Sequence, residues 1–406
     1  MTKNDTYDTT ISYVSSNSSV LSNTGLYNRP YNSTTVIYTA TIKSGSSIKE
    51  CTYEVEVDGY KELNNIAATY VGGNSTTYTS LSDSIFTVYD IITCGFAYPA
   101  SDGTFTESSV NSYNYTYYLP KMKQYVIPKA HEKGTWVVLS ICGVDVAYDT
   151  AFETICQSDE LINKFVNNIV GLINTYGFDG VDIDWETPSD GALFTKLMSK
   201  LYPAVKANNP DHLVTAAIGG GMWAPPYYDL ENSAQYFDYI NMMTYNMSTA
   251  NGYHHTALYG SKNYADITNG IAATLSSCSI DESINIYHNE YNVPLNKIII
   301  GSGFYGIKQT KQSINSSWVS AGSLSYIDIK ANYLNNANYT YYYDDVCKVP
   351  YLISADRLTF VTYENATSVL AKCEYAKTNN LGGVFAWHCG MDDGDLLNAV
   401  KEGLLK

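Results

Sequence analysis

The chain has 406 residues, 45% of them hydrophobic, which is enough for a core larger than that of one small domain. Its formal net charge of −16 disfavours binding to nucleic acid, because that binding needs clustered basic side chains. No apolar run reaches the length of a membrane span. The first five residues lack the apolar segment of a signal peptide, so we expect either a cytoplasmic chain or a leader outside this sequence.

Residues 8–57 have the composition of β-strands. Residues 34–40 and 51–57 are rich in β-branched and aromatic side chains, and a turn-like Ser-Gly-Ser-Ser segment lies between them. This stretch resembles bacterial immunoglobulin-like modules, which serve as spacers or surface tethers. We therefore expect a small all-β immunoglobulin-like module in residues 1–62, truncated at its first strand. The alternative is a β-rich extension of the following domain.

From residue 66 onward, short apolar runs alternate with amphipathic helical patterns, which is typical of parallel βαβ units. Eight runs qualify as strands: residues 66–71, 88–97, 135–140, 177–184, 213–218, 239–245, 297–301 and 383–387. Eight is the number that closes a (β/α)₈ TIM barrel. We assign the barrel to residues 63–406.

Two stretches between these strands are informative. Apolar residues recur at helical spacing after Ser158, a plausible N-cap, and before Gly177: Leu161, Phe165, Ile169 and Leu172. The stretch between the seventh and eighth strands is too long for a simple loop. We expect an insertion at about residues 307–357 that forms one wall of a cleft.

The sequence of residues 177–186, GFDGVDIDWE, carries the strongest chemical signal. Side chains two apart on a strand point the same way, so Asp182, Asp184 and Glu186 form one inward row. Neighbouring carboxylates repel, so at least one stays protonated near neutral pH, as a general acid requires. Glu186 falls at the C-terminal end of the strand, where barrel active sites lie. A hydrogen-bonded structural row or a metal site is the alternative, although one strand rarely supplies a full oxygen shell.

The motif Asp179-x-x-Asp182-x-Asp184-x-Glu186 resembles the signature of glycoside hydrolase family 18, which contains chitinases and endo-β-N-acetylglucosaminidases. Further segments resemble that family in the same order along residues 66–400: residues 95–98 (GFAY), 243–246 (MTYN), 253–259 (YHHTALY), 297–306 (KIIIGSGFYG), 361–365 (VTYEN) and 382–387 (GGVFAW).

The resemblance implies a substrate-assisted retaining mechanism. Glu186 would protonate the glycosidic oxygen, and Asp184 would hydrogen-bond the substrate's acetamido N–H. Asp182 would share a proton with Asp184, Tyr245 would donate to the acetamido oxygen, and Trp387 would lie under the sugar. It also implies substrate contacts from Tyr98, Asp179, Met243 and Asn246. Trp223 follows the fifth strand on the active-site side, and we expect it to stack on a sugar ring because binding sites favour aromatic walls.

Two departures from the family pattern leave the substrate open. The third strand reads Ser140-Ile-Cys142-Gly143 where the family commonly has Ser-x-Gly-Gly, and Asn246 stands where its chitinases commonly have Asp. We expect an endo-acting chitinase that binds chitin or related oligosaccharides, secreted or at the cell surface, and monomeric. The alternatives are an endo-β-N-acetylglucosaminidase acting on N-glycans, and a chitin-binding barrel without catalysis.

No cofactor or metal is expected. The eight cysteines include no CxxC pair, so a zinc site is not indicated, and free thiols are expected. His254 and His255 are interpreted as loop residues rather than a metal-binding pair.

Overall fold

A closed barrel of eight parallel strands organises the computed structural model of this chain, which confirms the predicted fold class. The strands follow chain order around the barrel, and the eighth pairs with the first. They are β1 (Ile66–Val71), β2 (Ile91–Ala97), β3 (Trp136–Cys142), β4 (Gly180–Asp184), β5 (Leu213–Gly219), β6 (Tyr239–Met243), β7 (Ile298–Gly303) and β8 (Gly383–Trp387). The structure describes residues 8–72, 78–105, 117–144, 146–260 and 278–406, and the backbone alone of residues 2–4, 265–266 and 271–272.

Helices surround the barrel. The α-helices and π-turns are Asp83–Val88, Leu119–Lys121, Met122–Val126, Ile127–Glu132, Val146–Cys156, Asp159–Tyr176, Gly191–Asn208, Leu230–Ser233, Ile280–Asn289, Tyr326–Ile329, Lys330–Leu334, Ala366–Thr378 and Asp395–Leu404. Short 3₁₀ turns occupy Pro225–Tyr228, Ala234–Tyr236, Leu295–Lys297 and Cys389–Met391. In the described part of the chain, no helix is both long and apolar enough to cross a bilayer.

The helix Asp159–Tyr176 begins and ends where the sequence predicts. The Ser158 hydroxyl accepts a hydrogen bond from the Leu161 N–H, which satisfies one of the free donors of the first turn. Gly177 follows the helix with φ +86°, a left-handed conformation that favours glycine. The buried face of the helix includes Phe165 and Ile169, so helical periodicity correctly identified the side that packs on the barrel.

An antiparallel sheet of five strands is inserted between β7 and β8. Its spatial order is Val319–Ser325, Tyr305–Thr310, Thr359–Thr362, Val349–Ser354 and Tyr339–Asp344. Trp318, Tyr351, Ile353 and Phe360 form its own small core. The expected insertion is therefore a β-sheet, and a single residue, Phe304, separates its first strand from β7.

A separate four-stranded antiparallel sheet forms the N-terminus: Thr2–Asn4, Thr9–Ser15, Thr34–Ser44 and Ser47–Val57. A few side chains, Val20, Val36 and Val57 among them, make its core. Within the described residues this sheet has no second sheet packed face to face with it. The immunoglobulin-like module expected in residues 1–62 is therefore not shown, and that assignment stays a prediction.

The segment around this sheet closes the N-terminal end of the barrel. The rings of Tyr31 and Tyr60 pack against Trp136, with centroids 5.0 and 5.1 Å away. The Tyr31 hydroxyl donates to Asp179 Oδ1 at 2.9 Å, and His131 Nε2 lies 2.9 Å from the other oxygen of the same carboxylate. The base of the barrel is thus sealed by aromatic rings around a buried carboxylate.

Candidate active site

The strand β4 and the residues after it present the acidic row. Asp182 and Asp184 are buried inside the barrel, and Glu186 lies two residues beyond the strand end. Trp185 belongs to the opposite face: its ring stacks on Phe152 at 5.0 Å, and its indole N–H donates to Asp149 at 2.6 Å. The anchored tryptophan fixes the turn of the chain that carries Glu186.

Asp182 is held at the bottom of the site by four donors. These are the Tyr70 hydroxyl at 2.9 Å, the Ser140 hydroxyl at 2.7 Å, the Thr215 hydroxyl at 2.6 Å and the Asn241 amide at 3.3 Å. Complete burial raises the pKa of Asp182, and the hydrogen bonds work against that rise. Both carboxylate oxygens have donors, so the side chain has little freedom to turn.

Asp184 lies above Asp182 and is differently surrounded. Its Oδ1 atom is buried and has no hydrogen-bond partner among the described residues. Burial, followed by the charges of Glu186 and Asp182, raises the pKa of Asp184 well above the usual range for a carboxyl. A buried acceptor without a donor is unfavourable, so this oxygen is suited to a ligand that brings a donor.

Asp184 and Glu186 open into a cavity of about 340 Å³. Its other lining residues are Tyr70, Val144, Ala217, Met243, Tyr245, Asn246, Tyr305, Ser323, Trp387 and Met391. The Glu186 side chain is accessible to solvent at the rim, yet the surrounding protein atoms still raise its pKa. Burial also raises the pKa of Tyr245 well above its ordinary value, so its hydroxyl remains a neutral donor.

Two further depressions are also lined by Glu186. One of about 160 Å³ adds the glycines 219–221, Trp223 and Met247, and one of about 410 Å³ adds residues 187–189 and Tyr227. Trp223 and Tyr227 are about half exposed, at 48% and 51%. The concave surface around Glu186 therefore extends beyond the central cavity.

Most of the predicted site residues meet in this region. Asp184, Glu186, Met243, Tyr245, Asn246 and Trp387 line the central cavity, Trp223 lines both neighbouring depressions, and Asp182 supports them from below. Tyr98 is not among the residues that line these cavities. Its ring packs against Tyr118 and Tyr148, with centroids 5.8 and 4.9 Å away.

Asp179, for which a substrate contact is predicted, lies away from the cavity. It precedes β4 and therefore lies at the N-terminal end of the barrel, about 16–17 Å from Asp184 at about 3.3 Å per residue. There it accepts hydrogen bonds from Tyr31 and from the Val137 N–H. Its place in the motif reflects a contact that closes the base of the barrel.

Sequence reasoning missed several residues that shape the site. Tyr70 on β1 and Asn241 on β6 bind each other at 2.9 Å and both donate to Asp182. An isolated amide within the otherwise apolar strand β6 was the available signal. Tyr305 follows β7 and lines the cavity, and its buried hydroxyl has no partner among the described residues.

Cys142, the residue of the third strand that departs from the common family pattern, lies in the wall of the barrel. Cys142 is buried and pairs in register with Asp184. The next residue, Gly143, donates its N–H to the Asp184 carbonyl at 2.7 Å. A Cβ atom at Gly143 would lie 2.8 Å from Trp185 Cα, so this position needs glycine for the close approach of the two chains.

Residues 11–392 match a single family model, described as glycosyl hydrolases family 18. The chain belongs to this family. Chitinase A1 of Niallia circulans is 31% identical over 293 residues, an alignment covering 63% of this chain and 41% of that protein. Chitinase B of Serratia marcescens is 27% identical over 340 residues, which cover 67% of this chain and 68% of that protein. This family 18 chain thus spans less than half of the first relative and about two thirds of the second.

Solved family 18 structures share the fold. An N-acetylglucosaminidase from Paenibacillus barengoltzii superposes with a TM-score of 0.70 at 24% identity, covering 84% of this chain and all of that one. A class V chitinase mutant from Nicotiana tobaccum, in complex with NAG4, gives 0.70 at 22% identity over 84% of this chain and 99% of that one. Chitinase ChiW from Paenibacillus sp. str. FPU-7 gives 0.69 at 20% identity and covers 97% of this chain and 39% of that one.

Proposed function

We propose that the protein is an endo-acting chitinase that hydrolyses β-1,4-linked N-acetylglucosamine polymers with retention of anomeric configuration. The observation that carries this proposal is the acidic row that ends at Glu186 in a cavity lined by Tyr245 and Trp387. The relatives named chitinases support the substrate class.

In this mechanism Glu186 is the general acid. Its raised pKa keeps a proton available near neutral pH, and that proton passes to the glycosidic oxygen as the bond to the anomeric carbon breaks. The substrate's own acetamido oxygen attacks the anomeric carbon and forms an oxazolinium ion. Glu186, now a carboxylate, takes a proton from the water that opens this ion, and retention follows from the two displacements.

The neighbouring residues hold the acetamido group in place for that attack. Asp184 offers its unpaired Oδ1 to the acetamido N–H, which stabilises the positive charge of the oxazolinium ion. The neutral Tyr245 hydroxyl donates to the acetamido oxygen. Asp182 shares a proton with Asp184, and its four donors keep the lower carboxylate in one orientation.

The endo mode rests on the shape around Glu186. The central cavity and the two depressions that share Glu186 with it provide room for sugar units before and after the scissile bond. Trp223 and Tyr227 offer exposed flat rings in one of these depressions, and Trp387 offers one in the central cavity. A blind pocket that accepted only a chain end would have room on one side of that bond only.

The setting of the enzyme belongs to the same proposal. We place it outside the cell or at the cell surface, as a monomer, with the N-terminal sheet as part of an immunoglobulin-like spacer. The support is the ChiW structure, described as a bacterial cell-surface-expressed multi-modular enzyme, which matches 97% of this chain where the other two cover 84%.

The test follows the products of an N-acetylglucosamine pentamer by anomer-resolved chromatography. Wild type should release the β-anomer first, and Glu186→Gln should be slower by about 10²- to 10⁴-fold, the usual contribution of a general acid. Glu231→Gln, an exposed glutamate, is the control and should keep full activity.

Cleavage with inversion, or full activity in Glu186→Gln, would refute the mechanism. If the pentamer stays intact while a glycoprotein loses its N-glycans, the protein is an endo-β-N-acetylglucosaminidase. Binding of the pentamer without cleavage of either substrate would identify a sugar-binding barrel.

A further inference from the structure

A second group of reactive side chains lies outside the cavity, between the barrel and the inserted sheet. His254 belongs to the segment after β6, Asp344 ends one inserted strand, and Cys347 lies in the turn before the next. All three are buried. Each offers one ligand atom, and these atoms lie within 4.8 Å of one another.

Neighbouring groups orient two of these three side chains. The amide N–H groups of Val346 and Cys347 both donate to Asp344 Oδ1 at 2.9 Å, which leaves Oδ2 directed at His254. On the other side of the ring, His254 Nδ1 lies 3.1 Å from the Thr362 hydroxyl. A hydrogen bond at the second imidazole nitrogen is the usual support of a metal-binding histidine, because it fixes the ring and its tautomer.

The distance between two of the ligand atoms fits a small tetrahedral ion. His254 Nε2 and Asp344 Oδ2 are 3.2 Å apart, at the long end of the range for a hydrogen bond, which is how they interact without an ion. Two ligands bound to zinc at about 2.0–2.1 Å with tetrahedral angles are about 3.3–3.4 Å apart. The backbone spacing also fits, because Asp344-Asp-Val-Cys347 has two residues between its ligands, as paired zinc ligands often do.

The charges balance in the presence of a divalent cation. A thiolate, a carboxylate and a neutral imidazole carry two negative charges, which Zn²⁺ cancels. The surroundings are apolar, with the rings of Tyr351 and Phe360 centred 5.4 and 5.9 Å from His254. A cysteine binds zinc as a thiolate, so binding of the ion would release the proton of the Cys347 thiol.

We propose that His254, Asp344 and Cys347 form a structural Zn²⁺ site, with a water molecule as the fourth ligand. The ion would tie the inserted sheet to the segment after β6, which already meet where the Leu258 N–H donates to the Cys347 carbonyl at 2.9 Å. This departs from the expectation of no metal, which rested on the absence of CxxC pairs. Two of the ligands are separated from the third by about ninety residues, so sequence spacing could not join them.

The test uses Co²⁺ as a spectroscopic substitute for Zn²⁺. The whole chain, stripped with a chelator, should take up one equivalent of Co²⁺ with a thiolate charge-transfer band in the near ultraviolet and the visible bands of a tetrahedral ion. One equivalent of Zn²⁺ should abolish the spectrum, and binding should release protons. Cys347→Ser should lose the charge-transfer band, and Asp344→Asn should weaken binding by at least tenfold.

Cys51→Ser, which removes a thiol in the N-terminal sheet, is the matched control and should bind Co²⁺ as wild type does. Far-ultraviolet circular dichroism establishes that each variant is folded. Absence of the charge-transfer band in folded wild type overturns the proposal, as does an unchanged spectrum in Cys347→Ser. No substrate is involved, so the result is independent of the proposed chitinase activity.

Discussion

Asp184 Oδ1 is buried without a hydrogen-bond partner among the described residues. We therefore predict that this residue lowers the free energy of unfolding at neutral pH. In Asp184→Asn the site loses a buried group whose charged form is poorly solvated and repelled by Glu186 and Asp182. Leaving a buried polar atom unsatisfied costs about 1–3 kcal/mol, and more when the atom is charged; asparagine keeps the polar atom and removes the charge, so we expect a gain of about 1–3 kcal/mol. Unfolding entropy grows with chain length at about 2.1 cal/mol/K per residue, so for this chain the gain corresponds to a rise in Tm of about 1–4 °C.

The pH dependence fixes the sign of this effect. The folded-state pKa of Asp184 lies above its unfolded value, so the native state holds the proton more tightly. The contribution of this group to stability is fully present below the unfolded pKa and is lost as the pH rises through the folded one. Thermal unfolding of Asp184→Asn and of wild type, measured from pH 4 to pH 8, should therefore show a difference in Tm that widens as the pH rises. The same variant should cleave the N-acetylglucosamine pentamer more slowly than wild type does.

Asp179→Asn supplies the opposite control on the same strand region. That carboxylate accepts hydrogen bonds from the Tyr31 hydroxyl and the Val137 N–H, so its neutralisation should lower stability by about 1.5–3 kcal/mol. If Asp184→Asn lowers Tm at pH 8 as Asp179→Asn does, the unpaired state of Asp184 Oδ1 is not what governs its energy.

Three further changes test other contacts. Tyr31→Phe removes the hydroxyl bonded to Asp179 and should cost about 1–2 kcal/mol in urea unfolding; no change would mean that ring packing alone seals the base. Lys372→Met leaves the buried Glu364 carboxylate without its cation and should lower the free energy of unfolding by about 3–5 kcal/mol. Adding Glu364→Gln should recover most of that loss, and a double variant as unstable as Lys372→Met would contradict a paired charge. Gly143→Ala places a Cβ 2.8 Å from Trp185 Cα and should lower kcat with KM less affected, whereas wild-type kinetics would show that the close approach is not needed.

Strand periodicity identified the acidic row for two reasons. Charged residues on a buried strand are rare, and Asp182, Asp184 and Glu186 follow one another at a spacing of two residues. It could not determine what surrounds them. Tyr70 and Asn241 come from strands far apart in sequence, and only barrel closure brings them to Asp182. The barrel itself was predictable from eight short apolar runs, since each strand is buried on both faces and reads as a continuous hydrophobic segment.

Two residues that are predicted to contact substrate lie outside the lining of the cavity, for different physical reasons. Asp179 shares a motif with the catalytic acids, but the motif runs through a whole strand, and its two ends lie at opposite ends of the barrel. Tyr98 follows β2 at the same end of the barrel as Glu186, and its ring packs against the rings of Tyr118 and Tyr148. Burial and strand direction, which a motif does not encode, decided both positions.

The aromatic seal at the base of the barrel has a mechanical consequence. Along the chain, Tyr31 precedes the last two strands of the N-terminal sheet and Tyr60 follows them. Both rings pack against Trp136. The last two strands of the N-terminal sheet are therefore attached to the barrel at both of their ends, which restricts rotation of the sheet relative to the barrel. If the N-terminal sheet is attached to a surface or to another domain, that attachment also sets the direction in which the C-terminal end of the barrel faces. A force applied to the sheet would then reorient the cleft.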